Sequence, residues 1–440
     1  MSSATFINLR VNSAEQFKES VSEPTPNTKL YITYGKVTGW ANDLSPDIAN
    51  SSPATEYEIW KNMIGGKKIF GSDLSHAVKR FNWTANTVYY AYDNLSKDLY
   101  DGNSKFYILT SDYNVYKCIA NNYGANSTVE PTSISPYNLI NTNDGYVWKY
   151  MYSISESDQM RFVTSDYIPV KTLASNDGSV QWQVQDNAVD GAIYSIIVTN
   201  GGTNYSNTNN ISVTISGDGV NATATANINV SSGKVQSIAM GDYGLSYTYA
   251  TVSITGGGGS GASARAIISP PGDHGSNPLY ELGGSNLILN PIISGIEDTD
   301  FPTTNDFRQL ALLKDPIAMG TSTVMSNIRF VQAYTLTALG TGNYLEDEIV
   351  YQGASPTSAI FSGRVVSWNS SNNKLVVINT VGAPTTQSLI GANSFTARYV
   401  SEVETKATVD HSGQILYVNN LKPIVRSSDQ TEDFKIVLKF

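Results

Sequence analysis

Cysteine, histidine and charged residues are all scarce in this 440-residue chain, and each scarcity closes off a class of function. Cys118 stands alone, so no intrachain disulfide can form; folding in a reducing cytoplasm follows, with the thiol expected as a small buried hydrophobe. His76, His274 and His411 lie far apart, and none has a second His or Cys at metal-ligand spacing. Patterns of the His-Glu-x-x-His, Gly-x-Ser-x-Gly and Gly-x-x-x-x-Gly-Lys-[Ser/Thr] kind, which place a metal, a nucleophile or a phosphate cradle, do not occur. Charged residues make up 15%, the net charge is -10, and no cluster of Lys or Arg interrupts it. Nucleic acid and acidic membranes call for a concentrated basic patch, so neither is an expected partner. No stretch of about 18 apolar residues occurs, and Met1 to Arg10 lacks a basic region followed by an apolar run. The chain is therefore expected to be neither secreted through a cleaved signal nor membrane-spanning.

What is plentiful points to strands and turns. Hydrophobic residues make up 40%, with 27 Tyr and 35 Gly, a profile of a mainly β protein with many turns and room for two to four domains. The stretch Asp144-Gly-Tyr-Val-Trp-Lys-Tyr-Met-Tyr-Ser-Ile154 organises the reading. Strict alternation places Tyr146, Trp148, Tyr150 and Tyr152 on one face of a strand and Val147, Lys149, Met151 and Ser153 on the other. Four large rings on one face predict a main wall of a β core.

Before it, Lys29 to Tyr34 reads as a strand ended by Gly35. Ser52-Pro53 then starts a helix, with Ser as N-cap and Pro at the first helical position. Tyr57, Trp60 and Ile64 share a face of it, and Gly65-Gly66 is its expected stop. A short second helix is expected over Asp73 to Val78, followed by strands at Val88 to Tyr92, Phe106 to Leu109 and Asn114 to Ile119.

From about Gly191 to Ser269 the sequence repeats itself. Ser195 to Val198 with Gly201, Gly202 and Tyr205 corresponds to Ser237 to Met240 with Gly241, Gly244 and Tyr247. Val213 to Gly217 and Ala222 to Ala226 correspond to Val252 to Gly256 and Ala262 to Ala266. Each copy is too small to bury a face alone, so the pair is expected to form one small β domain. A second composition shift spans about Ala333 to Val403, where Arg364 to Trp368 and Lys374 to Ile378 form a hairpin across Asn369 to Asn373. In the final stretch Phe434, Ile436, Leu438 and Phe440 alternate with Lys435, Val437 and Lys439, as an edge or sheet strand should.

Several of these blocks, in this order, carry a family resemblance. Tyr34-Gly35, Trp40, Trp60, Met63, Trp83, Tyr116 to Cys118, the Asp144 to Ile154 strand, the Phe307-Arg-Gln block, Ser412 to Asn420, Lys422-Pro-Ile424 and Asp429 to Phe440 resemble the baseplate wedge family of contractile-tailed phages (myoviruses) known as gene product eight. The blocks cover roughly residues 28–170, 270–330 and 405–440, somewhat over half of the chain. The duplicated stretch and the Ala333 to Val403 stretch fall outside and read as insertions.

Candidate chemistry is thin. His274, in Gly272-Asp-His-Gly275, is the best single candidate, against the plainer reading of a loop histidine bonded to nearby backbone. Gly256 to Gly261 matches Gly-x-Gly-x-x-Gly, but the repeat makes the next residues, Ala262 to Ala266, part of a strand and not of a phosphate-binding helix. Glu297, Asp298 and Asp300, and Glu346, Asp347 and Glu348, are acid clusters expected as solvated loop residues, and the first places to look for an ion. Tyr205, Tyr243 and Tyr247 in Gly-rich loops could stack on sugars, or sit at ordinary turn positions.

The fold class expected is mainly β: a multidomain β-sandwich core with a few short helices and two inserted small β domains. The core's first part covers 1–185, the duplicated insert 186–270, the core's second part 271–332, the second insert 333–403, and the core's C-terminal strands 404–440. The resemblance implies a homodimeric structural subunit of the virion's tail baseplate, made in the host cytoplasm. It would join other wedge proteins and take part in rearrangement on sheath contraction, with tail-fibre or peripheral proteins as further partners through the inserts. No enzyme activity and no cofactor or metal is expected. Trp40, Trp60 and Trp148 are the expected interface or core anchors. The alternative is a host-glycan-binding or tail-fibre-attachment module; a wall-degrading enzyme is disfavoured by the missing motifs.

Overall fold

Aromatic and β-branched residues in short alternating runs favour pleated, half-buried backbone, and strands make up most of the secondary structure. The structure, a computed structural model, describes residues 5–24, 28–206, 210–295, 306–425, 427 and 429–440. Among them are five open sheets and one closed barrel, with few short helices, the longest being Ile7–Ser22. The chain is mainly β. It divides into two units, one of Met1–Gln16, Ser75–Leu289 and Lys435–Phe440, the other of Phe17–Leu74 and Asn290–Phe434.

The first unit contains the aromatic strand, Tyr146–Ser153, inside an antiparallel sheet with Tyr107–Leu109, Asn114–Asn121 and Ile140–Asn141. Tyr146, Trp148 and Tyr150 share a buried cluster with Tyr89, Tyr116, Cys118 and Val184. Tyr152 does not join them. Tyr150 pairs with Tyr116 and Tyr152 with Val115, so Met151 is an extra residue, and this β-bulge turns Tyr152 into the opposite core beside Tyr107, Leu109 and Val115. The expected wall of four rings is therefore three rings, with the fourth behind it.

Two further expectations are corrected in this unit. Asp73 to Val78 is not a helix: after one 3₁₀ turn, Gly71–Asp73, the chain forms the strand Leu74–Lys79. That strand lies between Tyr167–Pro169 and Asn286–Leu289, with Ile436–Lys439 at the sheet's edge. Ladder bonds on both sides outweigh a weak local helix preference. Val88 to Tyr92 is extended but joins no ladder, because its backbone finds other partners: Tyr89 N donates to the Tyr146 hydroxyl (3.2 Å), and Asn121 Nδ2 donates to Tyr89 O (3.0 Å). Helix Val180–Asp186, capped by Ser179, supplies Val184 to the aromatic face.

The duplicated stretch forms one six-stranded antiparallel sheet. Its strands run Lys234–Leu245, Val220–Asn229, Ile211–Gly217, Ala250–Gly256, Ser260–Ile268 and Ile193–Thr203 across the sheet. The leading strand of each copy therefore pairs with the last strand of the other: Ile193–Thr203 with Ser260–Ile268, and Lys234–Leu245 with Val220–Asn229. One face carries Val213, Ile215, Ala222, Ala224, Val252, Ile254, Ala262 and Ala264, small residues opposite larger ones, while Thr214, Thr223, Thr225 and Ser253 lie exposed on the other. Gly256 to Gly261 is the turn between two of these strands.

In the second unit, helix Pro53–Asn62 starts as expected, with Ser52 Oγ accepting from Thr55 N (3.2 Å). It ends two residues earlier than expected, at Asn62, and Ile64, Gly65 and Gly66 belong to the strand Met63–Ile69. The glycines serve packing there: a Cβ on Gly66 would lie 2.5 Å from the Phe330 ring. This strand sits in a five-stranded antiparallel sheet in the order Arg329–Val331, Met63–Ile69, Leu30–Gly35, Phe307–Lys314, Gln414–Ile424. Residues Tyr334 to Glu404 form a closed six-stranded barrel that includes the expected hairpin, Phe361–Asn369 with Lys374–Val381. Its interior is lined by Leu336, Val350, Phe361, Val365, Leu375 and Leu389.

Candidate functional site: a buried ionic cluster

Within the first unit, two lysines sit where sheet packing calls for apolar side chains. Lys117 and Lys149 are direct cross-strand neighbours on Asn114–Asn121 and Tyr146–Ser153, on the face away from the aromatic wall, and their exposures are 0% and 3%. Like charges side by side on a buried face are unfavourable without countercharge. The countercharge comes from the loop and short helix after Pro270. Glu281, in the helix Pro278–Glu281, accepts from Lys117 Nζ at 2.9 Å through Oε2. Its Oε1 accepts from the backbone N–H groups of Gly275 (2.8 Å) and Asn277 (3.0 Å). Asp273 Oδ2 accepts from the Tyr194 hydroxyl (2.6 Å) and from Val189 N (3.0 Å).

The loop that delivers these groups is shaped for them. Asp273 has φ 82, a left-handed conformation costly for a non-glycine residue. Gly275 has φ 96, and a Cβ there would fall 2.4 Å from Val184 Cγ1. A side chain at 275 would displace the amide that binds Glu281.

His274 lies inside the cluster and is fully buried in practice, at 2% exposure. Its Nδ1 is 4.0 Å from Glu281 Oε2 and has no hydrogen-bond partner. Two tyrosine rings flank it, Tyr92 at 4.7 Å and Tyr194 at 5.5 Å between centroids. The expected loop histidine bonded to backbone is thus corrected to a ring enclosed by aromatic and charged groups. Burial, and then the two lysines, hold its pKa well below the usual histidine range. Burial also lowers Lys117 and Lys149 and raises Asp273. Lys117 Nζ rests 4.3 Å from the Tyr92 ring centroid, a cation–π contact. Two lysines and two carboxylates make a sealed, charge-balanced set. Loss of any one member would leave a buried charge without its partner.

The other singled-out residues do not meet here. Trp148 is fully buried on the aromatic wall. Trp60 is buried in the second unit beside His411, 6.0 Å away between ring centroids, and Tyr57 lies 4.5 Å from the same histidine. Trp40 is partly exposed, with Nε1 donating to Leu421 O (2.9 Å) and Lys36 Nζ 4.3 Å from its ring. His76 Nδ1 contacts Gly284 O at 3.2 Å.

Glu348 is not a solvated acid. It is buried in the barrel, accepting from Leu345 N (2.7 Å), Asn393 N (3.0 Å), Ser394 N (2.9 Å) and the Ser394 hydroxyl (2.8 Å). Glu297, Asp298 and Asp300 lie outside the described residues. Among the described residues, no three or more His, Cys, Asp and Glu gather as metal ligands, and no helix is long and apolar enough to cross a membrane. Tyr205 and Tyr247 are buried, leaving Tyr243 the more exposed of the three candidate sugar-stacking rings.

Sequence reasoning singles out His274 and passes over Lys117, Lys149, Asp273 and Glu281. The available signal is a lysine in the middle of each of two strands whose neighbours are all apolar or aromatic.

No family model matches this chain. It is similar to a curated relative, the baseplate wedge protein gp8 of Enterobacteria phage T4, at 21% identity over 213 residues. The matched stretch takes in 41% of this chain and spans 64% of the relative's length.

Proposed function

We propose that this chain is a structural subunit of a phage tail baseplate, acting as a wedge protein of a contractile tail. The observation that carries the reading is the similarity to baseplate wedge protein gp8 over 213 residues. The mainly β architecture, with strands held by buried tyrosines and a buried ionic cluster, suits a structural part.

In this reading the protein is a homodimer in the virion's tail baseplate, assembled in the host cytoplasm and bound to other wedge proteins. A large apolar dimer contact stays fixed, while smaller polar contacts to neighbours rearrange as the sheath contracts. The six-stranded sheet and the barrel supply further contacts, to tail-fibre or peripheral proteins. The protein works as an assembly part and not as an enzyme.

Immunogold electron microscopy of intact virions with an antibody against this chain tests the reading. Gold at the tail's distal plate, in extended and contracted particles alike, is the expected result; absence of label from the virion overturns it. Light scattering of the purified chain tests the dimer separately.

A further inference from the structure

We propose that Lys117 and Glu281 become joined by an amide bond between Nζ and Cδ, formed by the folded chain on itself. The geometry has each part such a condensation needs. The nucleophile is Lys117 Nζ, which donates to Glu281 Oε2 at 2.9 Å and is thereby held beside the carboxyl group whose carbon, Cδ, it would attack. The oxygen that would carry negative charge in the tetrahedral intermediate is Oε1, and two backbone N–H groups, those of Gly275 and Asn277, already point at it from 2.8 and 3.0 Å. That pairing is the arrangement of an oxyanion hole. The departing oxygen is Oε2, and the unbonded His274 Nδ1 stands 4.0 Å from it.

The surroundings favour the step. All three side chains are at least nine-tenths buried, against the rings of Tyr92 and Tyr194. Burial favours the uncharged amine of Lys117, the form that can attack. Lys149 is not the partner, because its Nζ donates instead to Pro136 O at 3.5 Å.

The step balances without an outside reagent. The ion pair passes its proton from Nζ to the carboxylate, giving amine and carboxylic acid. The Nζ lone pair forms the C–N bond while the carbonyl electron pair moves to Oε1. Nζ then gives up a proton, His274 carries one to Oε2, the Cδ–Oε2 bond breaks, and one water leaves as the carbonyl reforms. Nothing is oxidised or reduced. The product ties the strand Asn114–Asn121 to the helix Pro278–Glu281 across 164 residues of chain.

Mass spectrometry of the purified full chain under denaturing conditions tests this. The expected intact mass is one water lighter than the sequence requires, with a tryptic peptide containing Lys117 covalently attached to the one containing Glu281. The variant Lys117→Met should show its full sequence mass. A wild-type mass equal to that of the sequence, or a missing water that maps to other residues, overturns the proposal. The wild-type mass decides the question whether or not the variant folds.

Discussion

Tyr205 and Tyr247 hold matching positions in the two copies of the repeat, and each ring lies on a glycine in the hairpin turn of the other copy. A Cβ on Gly259 would fall 2.4 Å from the Tyr205 ring, and a Cβ on Gly219 would fall 2.4 Å from the Tyr247 ring. Neither glycine has a positive φ, so only the close approach requires it. Gly219→Ala and Gly259→Ala should each destabilise the protein by about 1–3 kcal/mol, the usual cost of overpacking. The two losses should be nearly equal, because the surroundings are. Urea unfolding of both variants checks this, and clearly unequal losses would contradict the equivalence.

Glu348 carries the loop between Leu345 and the barrel strand that follows it. Glu348→Ala would remove the buried carboxylate that accepts from the N–H groups of Leu345, Asn393 and Ser394. At about 1.5–3 kcal/mol for a hydrogen bond to a charged group, a loss of roughly 3 kcal/mol is expected. Glu348→Gln should cost as well, since an amide nitrogen would face N–H donors. Amide hydrogen exchange at 393 and 394 locates the damage.

Acid should weaken the first unit through His274. Its folded pKa lies below the ordinary value chiefly because burial opposes the charge. The unfolded chain therefore takes up the extra proton first, starting near pH 6.5. Stability falls from there downward, by up to about 1.4 kcal/mol per pH unit while only the unfolded form binds that proton. Asp273 has the opposite sign: burial raises its carboxyl, so the folded form is protonated first and gains as pH falls through the window above about 3.9. Unfolding followed from pH 7.5 to 5 should show a steeper decline in wild type than in His274→Gln. Equal slopes would remove His274 from the effect.

Gly66→Ala tests the second unit's sheet. The new methyl would meet Phe330 at 2.5 Å and Thr33 Cγ2 at 3.1 Å. A loss of about 1–3 kcal/mol is expected. Pairing with Phe330→Leu should recover part of it, because the two sites are in contact and their effects couple.

The parts of the fold that can be read from sequence are those written in local periodicity. Alternation gives the strand at Tyr146 and its burial through Tyr150; it fails at Tyr152 because the bulge is set by pairing with Asn114–Asn121. The Ser52 cap is local chemistry and is legible, whereas Gly65-Gly66 reads as a stop only until Phe330 covers it. Helix Ile7–Ser22 is not legible, since Val11, Ala14 and Val21 are its fully buried apolar positions amid many polar residues. The ionic cluster is hidden for a related reason. By alternation alone Lys149 reads as a residue on the wetter face, and its burial depends on residues far away in the sequence.

The six-stranded sheet leaves the chain at Ile193 and returns at Ile268, which are paired neighbours, and Ser269 N donates to Ala192 O at 3.1 Å. The barrel does the same with Thr335 and Glu404. Paired residues are about 5 Å apart, so the flanking backbone enters and leaves each module at a single seam. A change inside either module is thus felt by the flanking strands through that seam and through the few side chains that reach past it, such as Tyr194 on Asp273 and Arg265 on Asp93.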